Sequence, residues 1–245
     1  MILVRDTHFR KFNSSLFHLT KTSPLSHRSP SVTRFRLFDQ TLLLHPHKAA
    51  YWVEAEALLV ADLHLGKAAH FRSEGIPVPR MVQQKNYQRL RFLIDHFQPE
   101  RVFFLGDLFH SFYNRSWQKF IALLAEYPSI SFELVLGNHD ILADEHYGDA
   151  GLIVHEEPYP LPPFLLTHHP FEEIVPDFYY LHGHVHPCVH LHDAGRRSRT
   201  RLPCFHFGPH HGILPAFGAF TGMGRVAASA KDRVFVIVEE EVIEV

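Results

Sequence analysis

The chain has 245 residues, 46% of them hydrophobic, with 24 Lys plus Arg against 26 Asp plus Glu and a formal charge of -2. These values are ordinary for a soluble globular protein of one large domain or two small ones. No stretch approaches the roughly 18 to 20 apolar residues of a membrane-spanning helix, and the near-balanced charge makes no global case for a polyanionic partner, so only a local basic surface could supply one.

Residues 1–37 differ from the rest. Arg5, Arg10, Lys11, Lys21, Arg28, Arg34 and Arg36 face Asp6 as the only acid, and serines are frequent. Such a start suits a transit peptide, a disordered arm that meets polyanions, or an upstream extension from a misplaced start codon. The strand-like pattern begins near Phe38, so the expected division is a basic, disordered extension over 1–37 and one domain over 38–245.

From Phe38, Leu42-Leu43-Leu44, a turn at His45 to Lys48 and Ala50-Tyr51-Trp52-Val53 predict a hairpin. Ala57 to Ala61 is a continuous apolar run, as in a strand buried on both faces, and Asp62 and His64 sit at its C-terminal edge. Gly66 to Pro79 reads as a loop carrying Lys67, His70 and Arg72. Apolar positions at Tyr87, Leu90, Leu93, Ile94 and Phe97 have helical spacing, with Pro99 beyond them. Val102 to Leu105 is a second buried strand ending at Gly106-Asp107, and Trp117, Phe120, Ile121 and Leu124 mark a second helix. Phe132 to Leu136 then runs into Gly137-Asn138-His139-Asp140. This alternation is α/β in character. Further on, Phe164 to Thr167, Phe178 to Leu181, Cys204 to Phe207 and Val234 to Val238 read as strands with few helices between them. Gly195 to Arg201, with its four arginines, reads as an exposed turn.

Histidine is the compositional outlier, at 22 residues. It is the side chain best suited to metal ligation and to proton transfer near neutral pH. The only cysteines, Cys188 and Cys204, are expected to be free in a chain this large, which fits a reducing, cytoplasmic compartment. Asp62 and His64, like His184 and His186, are spaced i, i+2 and so point to one side of extended backbone. Asp107 offers a carboxylate that can bridge two cations, Asn138 a neutral oxygen and His168 a nitrogen. Together these donors exceed one tetrahedral zinc and suit two ions with open water positions. Two ions about 3.5 to 4 Å apart favour in-line phosphoryl displacement: one lowers the pKa of a bridging water, and both hold the charge that develops on the phosphoryl oxygens.

In this order, Asp62-x-His64, Gly106-Asp107, Gly137-Asn138-His139-Asp140, His168 and Gly183-His184-x-His186 resemble the calcineurin-like metallophosphoesterase superfamily. The resemblance implies a four-layer α-β-β-α sandwich with two mixed sheets. It implies that Asp62, His64 and His186 hold one metal, that Asn138, His168 and His184 hold the other, and that Asp107 bridges them. His139 would protonate the leaving oxygen or stabilise the transition state, with Asp140 orienting its imidazole. The preference for His168 over His169 rests on its place directly after the strand.

Ala61 to Arg72, Gly75 to Pro79, Gly106 to Ser111 and Leu214 to Gly222 resemble the bacterial ligase-associated DNA damage response endonucleases called PdeM. That similarity implies two divalent ions, manganese first and iron or zinc as alternatives. It also implies a metal-bridging hydroxide as nucleophile, DNA as substrate, and a DNA ligase and a helicase as associates. Lys67, His70 and Arg72 are candidate substrate-phosphate contacts, with a solvated loop as the plainer reading. The arginines at 196 to 201 could track a DNA backbone, although an exposed turn explains them as well. Outside the ligand set, His110 alone is placed close to the site; His182, His190, His192, His206, His210 and His211 read as solvated or supporting.

Two other functions compete. One is a small-molecule phosphodiesterase or nucleotide pyrophosphohydrolase on the same scaffold; lipid A precursor pyrophosphatases typically have Arg where this chain has His139. The other is a non-catalytic binding scaffold like the retromer subunit, a fate usually marked by loss of ligands or of the catalytic His, and this chain lacks neither.

Overall fold

The computed structural model describes residues 30–67, 71, 72, 75, 81–110, 114–171, 173–192 and 199–245. The greater part of the proposed N-terminal extension lies outside them, as does His70. Strand pairing starts earlier than Phe38: Thr33–Leu37 (β1) runs antiparallel to Gln40–His45 (β2), with Phe35 opposite Leu42. Phe35 is buried against Phe207 and Phe235 of the second sheet. With only Phe35 buried and Leu37 partly so among basic and polar neighbours, the segment read as part of the extension.

The hairpin predicted next is present, with β2 pairing Ala49–Trp52 (β3). Its turn closes through the Lys48 N–H on the His45 carbonyl at 3.0 Å. Then come Ala57–Ala61 (β4), Met81–Phe97 (α1), Arg101–Leu105 (β5), Arg115–Leu124 (α2), Ser131–Val135 (β6), Asp144–Asp149 (α3) and Leu152–His155 (β7). Helix α2 is capped by Asn114, whose side chain accepts the Ser116 N–H, satisfying a donor that the helix start leaves unpaired. Strands β1 to β7 form one sheet in chain order, antiparallel up to β4 and parallel from β4 to β7.

The apolar run of β4 serves two cores because successive side chains point to opposite faces. Leu58 and Val60 pack under the helices with Leu90, Leu93, Trp117, Phe120 and Tyr147. Ala57, Leu59 and Ala61 face the second sheet with Phe103, Phe164, Tyr179 and Phe205. Each fully buried Leu or Phe contributes about 1.5 to 3 kcal/mol, so both faces hold the strand in register.

The second sheet contains Tyr159–Leu161 (β8), Phe164–Leu166 (β9), Tyr179–His182 (β10), Pro187–His192 (β11), Arg199–Phe207 (β12), His211–Ile213 (β13) and Gly224–Arg225 (β14). Arg233–Val238 (β15) and Glu241–Glu244 (β16) join it through β12. Of the arginines read as an exposed turn, Arg196 and Arg197 lie outside the described residues, while Arg199 and Arg201 belong to β12, paired with β11.

The fold is the two-mixed-sheet sandwich, with α1, α2 and α3 on the outer face of the first sheet. Among the described residues, the outer face of the second sheet carries Cys204, Val234 and Val236 packed by Val189, Leu202 and Val226. Both cysteines are buried and free. No helix among the described residues is long and apolar enough to cross a membrane.

Candidate metal centre

Parallel β4, β5 and β6 bring their C-terminal ends together, and parallel β9 and β10 do the same in the facing sheet. The candidate ligands leave from these ends. Asp62 and His64 follow β4, Asp107 follows β5, Asn138 follows β6, His168 follows β9, and His184 and His186 follow β10. Backbone bonds tie the loops to one another. His64 N–H donates to the Asp107 carbonyl at 2.8 Å, Leu65 N–H to Leu108 at 2.9 Å, and Gly218 N–H to Asp62 at 3.0 Å.

The side chains converge in two groups. In the first, His186 Nε2 lies 3.2 Å from Asp62 Oδ1 and 3.4 Å from His64 Nε2. In the second, His168 Nε2 lies 3.2 Å from Asn138 Oδ1 and 3.1 Å from His184 Nδ1. Asp107 stands between them, with Oδ2 3.5 Å from His64 Nε2 and Oδ1 3.4 Å from His168 Nε2.

The donor chemistry fits divalent cations. His168 Nδ1 sits 3.1 Å from the Leu105 carbonyl and His186 Nδ1 3.2 Å from that of Gly222. A carbonyl only accepts, so the protons belong on Nδ1 and both Nε2 lone pairs face oxygen lone pairs across the site. A cation between them relieves that opposition. Burial pushes His64 down to about 2, helped by the nearby Lys67, His186, His110 and His139, so it stays a neutral donor.

The backbone is strained at the same places. Asp62, His64, Asp107, His184 and His186 adopt φ of 53°, 46°, 50°, 63° and 51°. A left-handed conformation costs a non-glycine residue roughly 1 to 2 kcal/mol, and such strain gathers at functional sites. Gly106, at φ 69°, has a separate reason to be glycine: a Cβ there would lie 2.2 Å from His168 Nδ1. Gly106→Ala is therefore expected to displace the His168 ring and lower bound divalent metal by at least about tenfold in affinity, the range seen when ligand support is lost. Metal analysis after dialysis checks this, and unchanged stoichiometry and affinity would exclude it.

A calcineurin-like phosphoesterase family model matches residues 56–214. The chain belongs to the calcineurin-like phosphoesterase family. It is similar to a crystal structure of Pseudomonas putida nuclease MPE, with a TM-score of 0.69 and 30% identity over 88% of this chain and 100% of that one. A protein of unknown function from Aquifex aeolicus aligns at TM-score 0.37 and 18% identity, over 53% of this chain and 78% of that one. No curated protein matches significantly. The family match and the nuclease neighbour make the chain a metal-dependent phosphoesterase.

In this phosphoesterase, Asp140 does not orient His139. Its Oδ1 accepts the Leu108 and Phe109 N–H groups at 2.9 and 3.1 Å, and its Oδ2 accepts Gly137 N–H at 2.9 Å. Burial raises its pKa to about 7, with Asp107 adding to the rise and the three N–H bonds opposing it. The carboxylate pins two ligand loops together, so its part is architectural. His139 is half-buried, its ring centroid 4.0 Å from His110 and 5.7 Å from His64, and its N–H donates to Asp107 Oδ1 at 3.0 Å. His110 thus touches the site, as its position after Asp107 suggests. His182 and His206 are buried, which leaves the supporting place of the two expected for them.

Lys67 joins His64, Gln83, Asn86, Gly218 and Phe220 around a small pocket beside the first group. Burial lowers its pKa, with Asp107 and Asp62 pulling the other way. Arg72 is half-buried in the same stretch.

Sequence reasoning missed the braces. Arg89 on α1 donates to the Phe217 carbonyl and stacks over the Phe217 ring at 4.6 Å, and Asn86 Oδ1 accepts the Ala219 N–H at 3.1 Å. These contacts fix the 214–222 loop, whose Gly222 carbonyl orients His186. Helical spacing leaves Arg89 off the apolar stripe of α1, and that is the only signal the sequence carries. Glu157 was also missed, because nothing local distinguishes it.

Proposed function

We propose that this chain is a manganese-dependent phosphodiesterase that cuts DNA, an endonuclease of the DNA damage response acting in the cytoplasm beside a DNA ligase and a helicase. The observation that carries the reading is the pair of ligand groups meeting at Asp107. Asp62, His64 and His186 hold one ion, Asn138, His168 and His184 the other, and Asp107 serves both. When bound, two such ions neutralise the phosphate oxygens and lower the pKa of the attacking water. His139 donates a proton to the leaving oxygen, and Lys67 and Arg72 meet the phosphate backbone on the His64 side.

Three observations support nucleic acid as substrate. The nuclease from Pseudomonas putida resembles the chain along its whole length. The loop motifs resemble those of the ligase-associated endonucleases. Exposed Ile141, Phe171, Ile174, Phe220 and Met223 all belong to loops that carry or follow the ligands and their braces, and nucleobases present apolar faces to such side chains.

After chelation, hydrolysis of bis-p-nitrophenyl phosphate is expected to vanish and to return with Mn(II), with p-nitrophenyl phosphate turned over much more slowly. Equal or faster monoester turnover, or activity without added metal, would contradict the phosphodiesterase assignment. Single-stranded, nicked and duplex DNA then test the substrate. If wild type cleaves the bis-ester but nicks none of these, the small-molecule reading replaces the repair one.

A further inference from the structure

We propose that His169 is an additional imidazole ligand for the ion held by Asn138, His168 and His184, with the Glu157 carboxylate fixing its ring from behind. The inference rests on the two-ion reading above.

Neighbouring residues in extended backbone point in opposite directions, so Thr167-His168-His169 predicts one histidine toward the site and one away. The chain does not stay extended. β9 ends at Leu166, and Glu157 Oε2 accepts the N–H groups of both His168 and His169, at 2.6 and 3.0 Å. Thr167 Oγ1 closes the turn by donating to the His169 carbonyl at 2.9 Å. One carboxylate oxygen thus gathers two consecutive N–H groups and turns both rings to the same side, their centroids 4.7 Å apart at 83°. The His169 ring also lies 4.7 Å from that of His184.

The tautomer follows from the other oxygen of Glu157, which sits 2.5 Å from His169 Nδ1. Its partner oxygen already accepts two backbone N–H groups, so the carboxylate accepts here too and Nδ1 carries the proton. His169 Nε2 is then a bare lone pair, 3.2 Å from Asn138 Oδ1. His168 Nε2 meets the same oxygen at the same 3.2 Å, its own proton on Nδ1 toward Leu105. Two nitrogen lone pairs and a carbonyl-type oxygen converge with no hydrogen between them, an arrangement that a shared cation stabilises. A carboxylate behind a ligating histidine fixes its ring and raises its basicity, and losing such support typically weakens metal binding 10- to 100-fold. His169, with a side chain 39% exposed, stands between the buried His168 and the exposed His184 and Asn138 of its group.

The test is titration of the chelator-stripped full chain with Mn(II), following free ion by electron paramagnetic resonance, together with nitrogen modulation of the bound ion by pulsed resonance. Wild type is expected to take up two equivalents. His169→Ala is expected to weaken one of them 10- to 100-fold, leave the other unchanged, and reduce the nitrogen modulation. Glu157→Gln, which keeps an acceptor but not the charge, is expected to shift the same equivalent by less. His169→Phe retains a planar ring on the turn but no donor atom; a loss in His169→Ala that His169→Phe fully restores would mark a role in packing the turn and overturn the proposal. Two equivalents of unaltered affinity in His169→Ala would overturn it too, as expected if the Asn138 carboxamide is turned to donate its N–H groups to both rings. No uptake by wild type would sink the two-ion reading itself.

Discussion

Asp107→Ala is expected to lose both divalent ions and at least about 10³-fold in kcat, near 4 kcal/mol of barrier. Each of its oxygens faces a different ligand group, Oδ2 toward His64 and Oδ1 toward His168. No other carboxylate among the described candidate ligands faces both groups, since Asp62 belongs to the His64–His186 group and reaches His168 only at 4.0 Å. Stability should divide the effect cleanly. Without metal, Asp62 and Asp107 are two buried carboxylates beside one another, and removing one relieves like-charge repulsion. The metal-free variant should therefore melt close to metal-free wild type, the relieved repulsion offsetting the His139 N–H that loses its Asp107 acceptor. Saturating Mn(II) should raise the wild-type midpoint, since a ligand at 100 times its Kd adds about 2.7 kcal/mol, and should leave the variant where it was. Two equivalents retained in Asp107→Ala by metal analysis would rule out the bridging assignment.

Much of this centre was legible because its logic is local. Oxygen and nitrogen donors stand directly after apolar runs, and both i, i+2 pairs, Asp62 with His64 and His184 with His186, do reach the centre, although through left-handed rather than extended backbone. What the sequence hid is long-range or turns on backbone conformation. Asp140 lies beside His139 in the chain, yet its oxygens reach N–H groups of Leu108 and Phe109 on another loop. His169 faces inward only because Glu157, on a different segment, collects two successive N–H groups. Phe35 anchors β1 by packing on strands near the other end of the chain, a partnership that no window around residue 35 reveals. The helices and buried strands followed from periodicity, whereas the pairing of β11 with the first part of β12 mixes Val189, Leu191 and Leu202 with His190, His192, Arg199 and Arg201, which dilutes that signal.

His139→Ala is expected to keep two equivalents of metal and to lose about 10²- to 10⁴-fold on DNA, the range for a positioned general acid. The position supports retention of metal: the ring packs at a tilt against His110 and edge-on toward His64, and only the backbone N–H, which alanine keeps, contacts Asp107. With Asp140 committed to backbone donors, no carboxylate on the adjacent residue orients the His139 ring, and the phosphate and leaving oxygen must do so themselves. The leaving group then discriminates between two roles. Departure of a deoxyribose alkoxide needs a proton, whereas p-nitrophenolate is a weak base that leaves without one. A proton donor therefore predicts a large loss on DNA and a small one on bis-p-nitrophenyl phosphate. A side chain that only stabilises charge on the transferring phosphate predicts equal losses on both. Equal fold-losses with metal retained would remove the acid role from His139 and leave it an electrostatic one, and loss of an ion would place it among the residues that build the site.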